Sequence, residues 1–117
     1  MRMASQAEFL REFLIARSGV KTGCGASEET IVAAERRLGV IFPEAFRRFL
    51  SEWGYFEYKS AESYGLGDGV PPHLDLVRNT LGERNEFHPH IPTHLIPFMP
   101  NGCGDHYCID TSVVEDD

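Results

Sequence analysis

The 117-residue sequence predicts an α+β fold, a single domain in which a mostly antiparallel sheet is packed by N-terminal helices. Three observations predict it. Apolar residues recur at helical spacing up to Gly54, and the pattern then gives way to short β-prone runs rich in Tyr and Phe. Near the C-terminal end, Leu95-Ile96-Pro97-Phe98-Met99 and His106-Tyr107-Cys108-Ile109-Asp110 flank Asn101-Gly102-Cys103-Gly104. Asn-Gly tolerates the positive φ of a tight hairpin, and the second Gly permits a bulge beside it.

In chain order, Ser5-Gln6-Ala7-Glu8 has the form of a capping box, and Phe9, Leu10, Phe13 and Leu14 follow at helical spacing. A first helix is expected from about Gln6 to Arg17, followed by a glycine-rich loop through Lys21–Gly25. Ser27 is a natural N-cap for a second helix, with Glu28 and Glu29 in its positive first turn and Arg36 and Arg37 near its negative end. Ile31, Ala34 and Leu38 form its apolar stripe, and Gly39 supplies a left-handed stop. Pro43 suits the first position of a third helix, whose apolar face is Phe46, Phe49, Leu50 and Trp53. Gly54 closes it.

Beyond Gly54 the runs Tyr55–Lys59 and Ser63–Leu66 read as strands. Residues 67–72 read as a loop. Leu74, Val77 and Leu81 permit a short helix ending before Gly82, and Glu83–Thr93 reads as an irregular, Pro-broken segment. The hairpin follows, and Val113-Val114 could start one more strand. No internal repeat, linker or second domain is apparent.

Charge divides unevenly. Residues 1–54 carry 8 basic and 7 acidic side chains, whereas residues 55–117 carry 3 basic and 11 acidic, together giving the net −7. Phosphate binding needs a basic footprint, so direct contact with nucleic acid is not expected. The acidic half suits a basic protein partner drawn in by long-range attraction. No run approaches the roughly 18 apolar residues of a membrane-spanning helix, and no signal-peptide pattern is present. The expected compartment is therefore the cytoplasm, with Cys24, Cys103 and Cys108 as reduced thiols.

No catalytic residue, cofactor or metal site is expected. His90 and His94 have zinc-ligand spacing, but Pro92 stands between them, and Cys103 and Cys108 are spaced more widely than a zinc knuckle. His106 and Cys108 share a strand face, with Asp105 adjacent, yet any strand brings alternate residues together. There is no phosphate loop, dinucleotide fingerprint or nucleophile elbow.

Two blocks carry a family resemblance. Ser27-Glu28-Glu29-Thr30-Ile31, Glu35, Leu38-Gly39, Phe42-Pro43, Phe46, Phe49-Leu50 and Trp53-Gly54 resemble the opening signature of the SMI1/KNR4, or SUKH, superfamily. Ile96-Pro97-Phe98, Asn101-Gly102, Gly104-Asp105 and Tyr107-Cys108-Ile109-Asp110-Thr111 resemble its strand-turn-strand centre, with Tyr64-Gly65-Leu66 between the blocks. The resemblance spans about residues 27–112, leaving 1–26 as an N-terminal helix and loop. It implies an α+β fold and a protein-binding role. Many bacterial members are immunity proteins that neutralise toxins, several of them nucleases, and fungal members are regulatory adaptors. The family usually continues beyond Asp-Thr with another strand and helix, so a shortened C-terminus is expected here.

The expected function is thus toxin neutralisation by stoichiometric occlusion, with an adaptor of the same fold as the alternative and a small metal-dependent enzyme as a remote third. The candidate partner-binding residues form an acidic, aromatic-fringed face: Trp53, Tyr55, Glu57, Glu62, Asp68 and Asp75, with Asp105, His106 and Asp110 from the hairpin. An uncovered sheet edge would also suit homodimerisation.

Overall fold

The computed structural model describes residues 20–59, 61–86, 90–100 and 106–112. The expected first helix, the hairpin turn with Cys103 and Asp105, and Val113-Val114 lie outside the described residues. The described elements are β1 (Lys21–Thr22), α1 (Glu28–Leu38), α2 (Glu44–Glu52), β2 (Phe56–Tyr58), β3 (Ala61–Glu62), α3 (Leu76–Asn85), β4 (Leu95–Pro100) and β5 (His106–Asp110). A single 3-10 turn, Pro72–Leu74, precedes α3.

Helix α1 follows its sequence signals closely. Ser27 Oγ accepts the Thr30 amide at 3.1 Å, and Gly39, at φ 72°, ends the helix by donating its amide to the Glu35 carbonyl at 2.8 Å. Its C-terminus is also capped from a distance, because Arg84 Nη1 donates to the Leu38 carbonyl at 2.8 Å. Burial alone lowers the pKa of this guanidinium. In α2, Pro43 stands one residue earlier than expected, at the N-cap, and Trp53 is the C-cap.

Helix α3 departs from expectation. Asp75 caps it through the Arg78 amide at 2.8 Å, Leu74 belongs to the preceding 3-10 turn, and the helix runs through Gly82 to Asn85. Glycine costs only about 1 kcal/mol in a helix interior, and here Gly82 is buried, so packing overrides the local stop signal.

The strands are antiparallel but fall into two small sheets, β1-β2-β3 and β4-β5. Lys21–Thr22, expected as loop, pairs with β2. The partner of β2 on its other side is Ala61–Glu62 rather than Ser63–Leu66. Ser63 still contributes, its hydroxyl accepting the Phe56 amide at 2.9 Å. Tyr64–Leu66 joins the parts: the Tyr64 amide bonds Phe98 O at 2.7 Å, Gly65 bonds Leu74 O at 2.9 Å, and Leu66 bonds Gly54 O at 3.1 Å. A Cβ at Gly65 would stand 1.8 Å from the Gly54 carbonyl oxygen, so only glycine fits this crossing.

Between helices and sheets lies a core built on phenylalanine. Phe98 meets Phe46 and Phe49 edge-on at centroid distances of 5.6 and 5.4 Å, and Phe42 meets Phe46 at 5.2 Å. The hairpin register shifts between Pro97 and Met99. Beyond that irregularity the simple alternation of burial fails: Ile109 is 1% exposed, yet Tyr107, two residues away, is 53% exposed.

Candidate functional site

The β1-β2-β3 sheet carries a row of charge. Register places Lys21 opposite Glu57, and Glu57 opposite Glu62. Two carboxylates directly across an antiparallel pair repel and disfavour the pairing. Lys21 offsets part of this, its Nζ lying 3.9 Å from Glu57, and His73 Nε2 lies 3.9 Å from Glu62. Lys21 and His73 were not singled out from the sequence, because pairing register brings Lys21 to Glu57 and the 3-10 turn before α3 brings His73 to Glu62.

Tyr55 anchors the row from below. Expected at a contact face, it is fully buried: its ring fills the core beside Gly54, and its hydroxyl reaches Glu57. The Tyr55 hydroxyl donates to Glu57 Oε2, and burial first, then that bond, pushes the phenol pKa up to about 12. A carboxylate held in this way is fixed in position at the surface. Trp53 is half-buried against the core, with its indole Nε1 buried and without a hydrogen-bond partner in the structure. Asp68 is exposed in the Gly67–Gly69 turn, and its carbonyl accepts the Cys24 amide at 3.2 Å. Gly23 is the crossing point: a Cβ there would lie 3.1 to 3.3 Å from Asp68 O, Trp53 O and Tyr55 Cδ1. Trp53, Tyr55, Glu57, Glu62 and Asp68 are thereby gathered around one sheet.

Of the remaining candidates, Asp75, His106 and Asp110 are placed elsewhere and already engaged within the fold. The Asp75 side chain is the α3 cap described above. Asp110 accepts the Ser112 hydroxyl at 2.6 Å and amide at 2.9 Å, and these bonds hold its carboxyl below the ordinary range. His106 is only 16% exposed at its side chain, with Nε2 3.1 Å from the Tyr64 hydroxyl and Nδ1 4.0 Å from Glu83. Burial and Glu83 raise the Tyr64 pKa. Asp105 lies outside the described residues.

A second charged network is structural. Arg47 donates to Glu28 at 2.7 and 3.1 Å and to Glu35 at 3.2 and 3.3 Å, while Glu35 Oε2 also accepts the Phe42 amide at 2.7 Å. These bonds raise the Arg47 pKa, and Arg47 in turn holds the exposed Glu28 carboxyl below its usual range. The chain turn between α1 and α2 is thus locked, leaving Ile41 74% exposed at its apex. Sequence reasoning missed that exposure, although alternation along Val40-Ile41-Phe42 must turn one side chain outward.

Among the described residues, no three His, Cys, Asp or Glu side chains converge as metal ligands, and no helix is long and apolar enough to cross a membrane. The site offers an ordered set of surface carboxylates, which attracts basic groups. A search of curated proteins finds no match for the chain. Residues 28–117, more than three-quarters of its length, match the family model described as SUKH_6, SMI1-KNR4 cell-wall. With an α+β fold and that match together, the chain belongs to the SMI1/KNR4 (SUKH) family.

Proposed function

We propose that this chain is an immunity protein that binds and occludes a basic toxin domain, and that the row of Glu57 and Glu62 with Asp68 is the face it presents. The observation that carries the reading is the direct pairing of Glu57 with Glu62 across β2 and β3. Like charges in register weaken a sheet. A lysine or arginine from a partner would relieve that repulsion, so the arrangement is better suited to the bound state than to the free one. The buried Tyr55 phenol orients Glu57 in advance, which reduces the ordering cost of binding. Family membership supports a protein partner, and the acidic half of the chain supports a basic one. A nuclease domain fits, since its substrate-binding surface must be basic.

The test is co-expression with a toxin encoded beside this gene. The intact chain is expected to restore growth, and a chain with Glu57→Lys and Glu62→Lys is expected to fold yet lose protection. Association should slow as salt rises, because exposed charges are screened within about 8 Å at physiological ionic strength. Full protection by the charge-reversed chain would remove this face from the mechanism. A chain that bound a protein but protected against none would support the adaptor role instead.

A further inference from the structure

The face of α1 turned away from the core has an order of its own. Helical residues advance by about 100°, so Glu29 and Arg36, seven apart, fall within about 20° of one direction, with Val32 and Ala33 on either side of that line. The buried residues Ile31, Ala34, Glu35 and Leu38 point the opposite way. The outward stripe therefore reads acid, apolar, small, base from N- to C-terminus. Among the described residues, neither Glu29 nor Arg36 forms an ion pair, whereas Glu28, on the flank, is taken by Arg47. Two shallow depressions, of about 370 and 430 Å³, run along the stripe and share Val32 and Arg36. The second continues past Gly39 to Val40 and the exposed Ile41.

We propose that this stripe is a homodimerisation surface, on which α1 of a second copy of this chain packs antiparallel about a two-fold axis between Val32 and Ala33. Charge complementarity selects that occupant. A two-fold axis at the centre of an acid-to-base stripe sets Glu29 of each copy against Arg36 of the other, forming two equivalent ion pairs from one sequence feature. Ala33 beside the axis lets the helices approach at the short end of the usual 8–10 Å separation. Antiparallel packing also opposes the positive end of one helix to the negative end of the other. A parallel arrangement would instead align acid with acid and base with base. The contact is small, since an 11-residue helix is about 16 Å long, so the association is weak and concentration-dependent. This surface is separate from the sheet edge that the sequence suggested for pairing, and separate from the Glu57–Glu62 row.

Sedimentation equilibrium of the full chain, up to about 1 mM, tests it, within the weak range of protein association. The intact chain is expected to dimerise reversibly, and more weakly at high salt. Either Glu29→Arg or Arg36→Glu alone turns both attractions into repulsions and should weaken the dimer about tenfold or more. The chain carrying both substitutions should recover it, and the two single variants mixed together should pair with each other. Both side chains changed, Glu29 and Arg36, are exposed in the free chain, and matched thermal unfolding would show that the folds are intact. A chain that stays monomeric throughout overturns the proposal, as does a dimer indifferent to both swaps. It is also overturned if dimerisation appears only once residues 1–19 are removed, an outcome that would assign the stripe to that segment.

Discussion

Glu35 is a buried carboxylate with two tasks, terminating the backbone turn at Phe42 and receiving the Arg47 guanidinium. Removing it leaves a buried amide without an acceptor and halves the charge compensation of Arg47, a combination that costs about 2–4 kcal/mol. Glu35→Ala is accordingly expected to lower the urea midpoint sharply, whereas Glu28→Ala, which removes the solvent-facing half of the same network, should lower it far less. Equal losses from the two substitutions would show that the ion pairs, and not the Phe42 amide, hold the turn. Tyr55 has the complementary character of a neutral group kept neutral. Its folded pKa of about 12 stands above the value of 10 for a free phenol, so its contribution to stability is complete below about pH 10 and disappears as pH rises through about 12. Tyrosinate absorbance and circular dichroism should therefore change together in that window. Tyr55→Phe should unfold at higher pH than the parent.

At the scale of elements, Asp75 shows how a surface acid can be committed within its own helix. Asp75→Ala is expected to cost about 1 kcal/mol, the usual value of an N-cap, and Asp75→Asn much less because the amide oxygen still accepts. Thermal unfolding of the two variants separates the cap from any effect of charge. The same comparison shows what could be read in advance. Ser27 and Gly39 bound α1 through bonds made within four residues, so their meaning is contained in the local sequence. Gly82 carries the same local signal as Gly39 but sits buried in α3, and its meaning depends on what packs against it. Ala61–Glu62 pairs with β2 in preference to the more apolar Ser63–Leu66 because the latter segment is drawn to Phe98, Leu74 and Gly54. The acids at the site were visible as residues; their register, and the lysine and histidine beside them, were not.

For the whole molecule, charges that composition only summarises as a net −7 take two different proposed roles. The acidic row on β2 and β3 is proposed for recognition of a different chain, and the self-complementary stripe on α1 for association of like with like. They are built from different elements, so charge reversal at Glu57 and Glu62 should abolish protection without altering dimerisation, and the α1 swaps should do the reverse.

The crossing at Gly65 has one more consequence. Tyr64, Gly65 and Leu66 send successive amides to β4, to the turn before α3 and to the end of α2, so one short rung ties three separate parts of the fold together. A chain divided in the turn after Tyr58 would leave α1 and α2 on one piece and that rung, with its acceptors at Phe98 and Leu74, on the other. Neither piece could make the Leu66–Gly54 bond alone, yet together they carry both its donor and its acceptor. The domain is in that sense suited to reconstitution from two fragments, with folding itself as the signal that they have met.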